Sequence, residues 1–465
     1  MTRYASAVFA AALSVAGCSA VGPNFIRPDI PLQGRFAFAQ ENALEAAANA
    51  KWWTELQDPV LDGLMERALS QNLELKVAVS RIEQARAQLR AAGVSSQFSG
   101  GVDASARAQI SDGNYSDVSQ VSVAPVFVLD LFGENQRRRE AAAAGVDNAV
   151  FRAAAGRLAL QLELVSRYFD LRYFQELEAL RLRSISNQRD VVSAIRERAK
   201  VQDESRLTVS RSEAELQLRR SLIPQARQGQ YAAVLSIATL LAEPQEDLSA
   251  QLSVAKPQPR PPHNISPGVP AALLKNRPDV RAAEAALASA VAQIGISEAQ
   301  LYPSLRLNGS LTVTQGGSLS VGPTFSLPVF DRKARLAGRD VAVARAAEAE
   351  LFWRNTVLVG VEEVQLGLSA LETSDKQVTT LTSAVSKFRD VASLSTEAFR
   401  LQAITYIEVL DVEESLNQSE LQLINARRTY ASSWAQLNVA IGQGWQTLSA
   451  EDKSSSSQAT ILAKK

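Results

Sequence analysis

Residues 304–330, SLRLNGSLTVTQGGSLSVGPTFSLPVF, decide the fold of this chain. In the first half of the stretch apolar and polar side chains alternate, and the alternation resumes after Gly316 and Gly317. A period of two predicts two β-strands joined by a tight turn, with one apolar face and one polar face. Each strand has about ten residues, as a tilted transmembrane strand does, although a half-buried sheet of a soluble domain would alternate in the same way.

The same pattern occurs earlier in the chain. PVFVLDLF at 125–132 aligns with PTFSLPVF at 323–330, and NLELKVAVSRIEQARAQL at 72–89 aligns without a gap with RPDVRAAEAALASAVAQI at 277–294. This repetition predicts two copies of one structural unit. We expect repeat 1 at 61–250 with strands at about 98–129, and repeat 2 at 271–447 with strands at about 303–328. A proline-rich linker at 251–270 separates them.

Each repeat also contains a very long helical segment. No proline occurs between Pro125 and Pro224 or after Pro328, and apolar residues between 357 and 399 follow a 3-4 spacing that Asp375 interrupts. This spacing over many turns is typical of a coiled coil. The runs 135–200 and 334–402 would each extend roughly 100 Å, at 1.5 Å per residue. A return segment follows each run, so we expect two antiparallel helical hairpins.

The composition gives no sign of an enzyme. There are 49 basic and 49 acidic residues, one cysteine and one histidine, and that histidine, His263, lies in the proline-rich linker. No G-x-S-x-G, H-E-x-x-H, P-loop or C-x-x-C motif occurs. The balanced charge gives no reason to expect a nucleic-acid partner. We therefore predict no catalytic residue, no metal site and no cofactor.

The single cysteine, Cys18, follows a short apolar run. Arg3 and the small apolar residues at 5–15 are typical of a signal peptide, here 1–17, since the run is too short to span a bilayer. VAGC at 15–18 is similar to a bacterial lipobox, in which cleavage precedes an acylated cysteine. Ser19 follows in place of the aspartate that signals retention at the inner membrane in many lipoproteins. We expect Cys18 to carry lipid and to anchor the chain in a membrane.

The predicted strands require other copies of the chain. Downstream of the signal no apolar run is long enough for a transmembrane helix, so a membrane-crossing part would have to be closed β-structure. Four strands cannot close a barrel, whereas two copies would supply eight strands and three copies twelve. We favour three copies, which leave room for a channel. The fold class expected is an α+β membrane protein.

Several motifs in order resemble the TolC-like outer membrane factors, specifically the NodT-type lipoproteins of RND efflux systems. They are CSAVGPNFIRP at 18–28, WWTELQDPVLDGL at 52–64, NRPDVRAAEAAL at 276–287, LYPSL at 301–305 and LNVAIGQGW at 437–445. The resemblance implies a homotrimer whose 12-stranded outer membrane barrel continues into a periplasmic α-helical barrel. An equatorial region would consist of 19–60, 224–270 and the C-terminal part. Residues 18–60 would form the N-terminal lipid anchor and equatorial segment. The tail 448–465 is expected to be disordered.

The resemblance also implies a function. The trimer would be a passive exit duct in the outer membrane, joined to an inner-membrane RND transporter by a periplasmic adaptor. Two alternatives remain: a TolC-like duct for protein secretion with an ABC transporter, and a structural trimeric coiled-coil lipoprotein that braces the envelope. The alternating strands count against a brace, and the lipobox with the family opening favours RND efflux over protein secretion.

Two groups of polar residues are candidate functional sites. Arg306, Asn308, Ser310 and Thr312 are expected to face a water-filled lumen, with the intervening apolar residues facing lipid. In TolC-like proteins two acidic residues form rings at the closed periplasmic end, and the matching positions here are Glu408 and Asp411, with Asp203 and Glu204 at the other hairpin tip. A solvated helix face is the alternative for these acids.

The hairpin tips depart from the family pattern. Gln202 and Gln402 stand where relatives often have glycine, and Ile404 stands where some carry a charge. These departures concern the geometry of the tips and the docking of the adaptor.

Overall fold

The computed structural model describes residues 20–32, 34, 36, 51–94, 98–111, 114–202, 204–262, 277–313 and 318–445. The predictions for the signal peptide 1–17, for Cys18, for Asp203 and for the tail 448–465 lie outside these residues. So do the glycine-containing hairpin turns at 112–113 and 314–317 and the linker segment 263–270.

The described elements follow the same order in both halves: a helix, a β-hairpin, a very long helix and a returning helix. After a short 3-10 helix, Trp52–Leu56, they are α1 (Pro59–Gln71), α2 (Leu73–Val94), β1 (Phe98–Ser111), β2 (Asn114–Leu129), α3 (Glu134–Lys200), α4 (Arg206–Ser221), α5 (Ile223–Leu241), α6 (Gln245–Leu252), α7 (Pro278–Ala299), β3 (Ser304–Val313), β4 (Ser318–Ser326), α8 (Arg332–Arg400) and α9 (Tyr406–Ala440). The long helices α3 and α8 have 67 and 69 residues. Within the described ranges, no helix is both long and apolar enough to cross a membrane.

The four strands form one antiparallel sheet in the order β1-β2-β3-β4. Each hairpin pairs its own strands, and β2 pairs with β3 to join the two repeats. The register sets Val123 opposite Leu311, and Leu311 opposite Leu319, so apolar residues of neighbouring strands share a face. The outer edges of the sheet are β1, from the first repeat, and β4, from the second.

The chain divides into two compact units. The sheet unit comprises residues 1–31, 78–153 and 278–358, and the helical unit comprises 32–77, 154–277 and 359–465. The sheet unit contains the four strands, α7 and an N-terminal strap at 20–31 that has no regular secondary structure.

The helical unit has one large apolar core. Trp52, Trp53 and Trp434 lie in it together with residues of the 3-10 helix, α1, α3, α5, α6, α8 and α9. The rings of Trp52 and Trp434 are 5.5 Å apart between centroids. This core brings together residues near 52–68, 233–252 and 430–441, which are distant in sequence.

The coiled-coil spacing identifies most buried positions of α8. Val357, Val364 and Val385 are buried, and so is Phe399 near the end of the helix. Phe388, which the same spacing predicts to be buried, is exposed instead.

Candidate functional site

The four predicted lumen residues lie on one face of the sheet. Arg306, Asn308, Ser310 and Thr312 occupy alternate positions of β3. They lie opposite residues of β4 that are small or polar, namely Thr324, Gly322, Ser320 and Ser318. Asn308 Nδ2 donates a hydrogen bond to Thr324 Oγ1 at 2.8 Å. This face is hydrophilic across the second hairpin.

The opposite face of the sheet is apolar and exposed in the single chain. It carries Phe98, Val102, Val121, Val123, Phe127, Leu307, Leu311, Val313, Leu319, Val321 and Phe325, each more than a third exposed. A contiguous apolar surface of this kind marks a contact with lipid or protein. The separation of the two faces, predicted from the alternation, is present in the structure.

The two helical tips have the same backbone geometry despite the missing glycines. The first tip is the turn between α3 and α4, and the second is the turn between α8 and α9. Gln202 has φ of +62° and Gln402 has φ of +59°, both in the left-handed region. At the second tip the amide of Ala403 donates to the carbonyl of Ala398 at 2.8 Å, as in a Schellman motif. The glutamines therefore hold the conformation that glycine adopts more easily, at a cost of about 1–2 kcal/mol each.

Glu408, the first gate candidate, caps the helix that leaves the second tip. Its Oε2 accepts hydrogen bonds from the backbone amide of Thr405 at 2.7 Å and from the Thr405 hydroxyl at 2.9 Å. Thr405 Oγ1 in turn accepts from the amide of Glu408, which completes a capping box. These donors lower the pKa of Glu408, so its carboxylate stabilises the tip above its usual pKa, and that stabilisation is lost as pH falls through the lowered value.

The other acidic candidates differ in their surroundings. Asp411 is exposed one turn after Glu408. Glu204 faces Arg198 at 3.8 Å. Arg198 Nη2 also donates to the carbonyl of Phe399 at 2.6 Å and lies over its ring, so this arginine links the end of α3 to the end of α8. Glu204 is thus paired across its own tip, while Glu408 and Asp411 present their side chains to solvent.

A buried polar cluster behind the tips escaped the sequence analysis. Arg219 of α4 contacts Glu413 of α9 at 3.4 Å and donates to Ser184 Oγ of α3 at 2.7 Å. Burial raises the pKa of Glu413, against the opposing effect of Arg219. No periodic pattern in the sequence distinguishes Arg219 from the exposed arginines of α4.

The N-terminal strap is fastened by a buried arginine that sequence reasoning also missed. Arg137, in the first turn of α3, donates to the carbonyls of Val21 at 3.1 Å and Gly22 at 3.0 Å, and to Asn24 Oδ1 at 2.9 Å. The amide of Val21 donates to the carbonyl of Phe132 at 3.1 Å. The strap therefore begins at the junction between β2 and α3.

The Gly-Pro and Arg-Pro pairs of the strap have separate roles. Gly22 has φ of +84°, and a Cβ built there would lie 2.5 Å from the Cα of Gly295 in α7, so no larger residue fits. Arg27 makes two hydrogen bonds to Glu284 of α7, at 2.8 and 2.7 Å. The strap thus contacts both repeats.

The Trp-Trp and Asp-Pro motif anchors residues 52–58 in the helical unit. Trp52 Nε1 donates to Gln161 Oε1 at 3.1 Å. Asp58 caps α1 by accepting from the amide of Val60 at 3.0 Å, and its other oxygen accepts from the buried hydroxyl of Tyr168. Arg172 Nη2 donates to the same hydroxyl at 2.6 Å. Burial raises the pKa of Tyr168, so the hydroxyl keeps its proton and donates a hydrogen bond to Asp58.

Comparison with known proteins agrees with these features. Residues 269–443 match the outer membrane efflux protein family. Nodulation protein T of Rhizobium leguminosarum bv. trifolii is 31% identical over 460 residues, covering 96% of this chain and 98% of that protein. The solvent efflux pump outer membrane protein SrpC of Pseudomonas putida is 26% identical, over 95% of this chain and 99% of its own.

A solved structure extends the agreement to the fold. The outer-membrane channel OprN superimposes with a TM-score of 0.83 at 26% identity, covering 92% of this chain and 99% of that chain. The resemblance seen in the motifs is therefore confirmed by both sequence and structure. The chain belongs to the outer membrane efflux protein family.

Proposed function

We propose that three copies of this chain form the outer membrane exit duct of a tripartite efflux pump. The observation that carries the proposal is the four-stranded sheet, which is apolar on one face, polar on the other and open at both edges. Strands β1 and β4 run in opposite directions, because three antiparallel pairings separate them. The β4 edge of one copy can therefore continue the antiparallel ladder with the β1 edge of the next, and rotational repetition closes a ring without a free edge.

Three copies suit a duct better than two. Twelve strands leave a lumen, whereas eight give an interior that side chains fill. In the ring the apolar face meets lipid, since polar groups in the hydrocarbon region are costly, and Arg306, Asn308, Ser310 and Thr312 line the water-filled lumen. The long helices would form the periplasmic continuation of the duct.

The names of the relatives favour export of small molecules, and not catalysis of a chemical reaction, as the function of this chain. SrpC is named as the outer membrane protein of a solvent efflux pump, and OprN as an outer-membrane channel. By this relationship the chain conducts compounds passively, and the energy and the selectivity come from an inner-membrane RND transporter joined through a periplasmic adaptor. A passive conduit needs no catalytic residue and no cofactor.

Lipid on Cys18 would anchor each copy beside its sheet. Ala20 lies against Gly133, where β2 ends and α3 begins. Cys18 is two residues upstream, and two residues of extended chain span at most about 7 Å. A lipid on Cys18 would therefore be attached close to the start of the strap. Mass spectrometry of the mature N-terminal peptide tests this, and an unmodified residue 18 would contradict it.

Glu408 and Asp411 would narrow the periplasmic entrance. Both are exposed and lie one helical turn apart just after the second tip, so three copies would bring six carboxylates to the entrance. A ring of carboxylates favours cations.

Reconstitution of the purified chain tests the proposed duct. Native mass spectrometry in detergent should give three copies, and planar bilayers should show discrete single-channel currents. With the adaptor and the pump supplied, export should depend on this chain. A protein that stays monomeric and conducts no ions would refute the proposal.

A further inference from the structure

Two exposed helical stripes in the helical unit lack a partner among the residues that the structure describes. The first, on α4, consists of Leu207, Arg211, Ala214 and Leu218. The second, on α8, consists of Asp390, Leu394, Glu397 and Leu401, the last residue following the helix directly. Leu207 is 78% exposed and Leu218 60%, while Leu394 and Leu401 are each 71% exposed. Leucines this exposed on a long helix indicate a surface that another helix covers.

The two stripes have the same spacing. In each, successive members are four, three and four residues apart, so all four fall within a narrow arc of the helix, as residues of a coiled-coil seam do. Each stripe therefore extends roughly 16 Å along its helix, at 1.5 Å per residue. Equal length and equal spacing allow every position of one stripe to meet a position of the other.

The helices that carry the stripes run in opposite directions relative to the tips. The tips lie together, because Arg198 at the end of α3 donates to the carbonyl of Phe399 at 2.6 Å. The chain leaves the first tip along α4 and approaches the second tip along α8. In a rotational ring all tips lie at the same end, so α4 of one copy is antiparallel to α8 of the next.

Antiparallel pairing matches the side chains in order. Starting from the tips, Leu207 meets Leu401 and then Arg211 meets Glu397. Further along, Ala214 meets Leu394, and Leu218 meets Asp390 at the far end. Two of the four pairs, Leu207–Leu401 and Ala214–Leu394, are apolar on both sides, and the one arginine meets a carboxylate. Arg211 has no ion-pair partner among the described residues, and Glu397 has only Arg400 at 3.9 Å.

We propose that the α4 stripe of one copy docks on the α8 stripe of the next, with Arg211 paired to Glu397. The inference rests on the proposed trimer and adds the contact that joins its helical units. The equal spacing of the two stripes and the opposite charges of Arg211 and Glu397 make each stripe complementary to the other. The occupant is therefore a second copy of this chain.

Cross-linking identifies the contact directly. Ala214→Cys and Leu394→Cys are combined in one chain and treated with a short bismaleimide, with each single substitution as a control. If the stripes meet, the double variant yields covalent dimers and trimers, and the single variants do not. A protein that is trimeric by native mass spectrometry but gives no cross-link in the double variant overturns the inference.

Charge reversal in the Ala214→Cys/Leu394→Cys double variant tests the ion pair. Arg211→Glu places like charges at each contact and should lower the cross-link yield roughly tenfold at low salt. Adding Glu397→Arg to the same chain should restore the yield. Arg220→Glu is the matched control, because Arg220 is an equally unpaired, exposed arginine on the opposite side of α4.

The outcomes separate this inference from the proposed function. Equal effects of Arg211→Glu and Arg220→Glu, or no rescue by Glu397→Arg, would overturn the stripe contact while leaving the trimeric duct intact. A wild-type protein without any trimer would overturn the duct itself, and with it the contact. Circular dichroism of each variant checks that the helices still form.

Discussion

Replacing Asp58 with alanine should destabilise the helical unit. Asp58 has two separate tasks, since one oxygen caps α1 and the other accepts a hydrogen bond from the Tyr168 hydroxyl. Losing the cap costs about 1 kcal/mol, and leaving the buried Tyr168 hydroxyl without an acceptor costs about 1–3 kcal/mol. The expected loss in the free energy of unfolding is therefore about 2–4 kcal/mol.

The matched control lies one turn further along the same helix. Asp62 Oδ1 is buried and has no hydrogen-bond partner in the described chain. Burial and the nearby carboxylates of Asp58 and Glu66 raise the pKa of Asp62, so its charge opposes folding at neutral pH. Asp62→Asn should accordingly leave stability unchanged or raise it.

Urea unfolding followed by tryptophan fluorescence is a direct assay. Trp52, Trp53 and Trp434 lie in the same core as the residues on which Asp58 acts, so their emission reports the affected region. Asp58→Ala should lower the unfolding midpoint without changing the slope. If Asp58→Ala and Asp62→Asn shift the midpoint equally, the assigned role of the Asp58–Tyr168 contact is wrong.

Three further predictions concern the sheet and the tips. Leu311→Lys on the apolar face should cost about 2–4 kcal/mol near the bilayer midplane, whereas Ser310→Lys on the polar face should be mild, as measured by the heat stability of the trimer. Glu408→Gln with Asp411→Asn should abolish cation preference in single-channel recordings. Glutamine at position 408 can still complete the capping box, so the comparison does not depend on loss of the cap. Unchanged selectivity would place these carboxylates outside the pore. Gln402→Gly should raise stability by a few tenths to about 1 kcal/mol. The reason is that relief of the left-handed strain exceeds the entropy that glycine adds to the unfolded chain. A fall in the melting midpoint would contradict this reasoning.

The periodic parts of the chain could be predicted from sequence because one physical rule generates each of them. Alternation at Leu305 and Leu307 reflects a sheet with two different faces, and it placed β3 and β4 close to their observed bounds. The 3-4 spacing around Val357 and Val364 placed the buried side of α8. Both patterns arise because one side of a single strand or helix is buried, so residues close together in the sequence are enough to show them.

Contacts between distant segments could not be predicted in the same way. Arg137 is one of many arginines at the start of α3, and only the arrival of the strap carbonyls distinguishes it from exposed neighbours such as Arg138. The capping role of Glu408 was open to prediction, because Thr405 and Glu408 form the T-x-x-E pattern of a capping box.

The strap also determines when the amino-terminal end of the chain becomes fixed during synthesis and export. Arg137 can hold Val21 and Gly22 once the first repeat is present, but Arg27 reaches Glu284 across 257 residues of sequence. Because Gly22 also lies against Gly295, the close fit of the strap requires α7 of the second repeat. The strap therefore lacks its contacts with α7 until nearly two thirds of the protein has reached the folding compartment. A truncation that ends before α7 should leave the strap accessible to proteases, whereas the full chain should protect it.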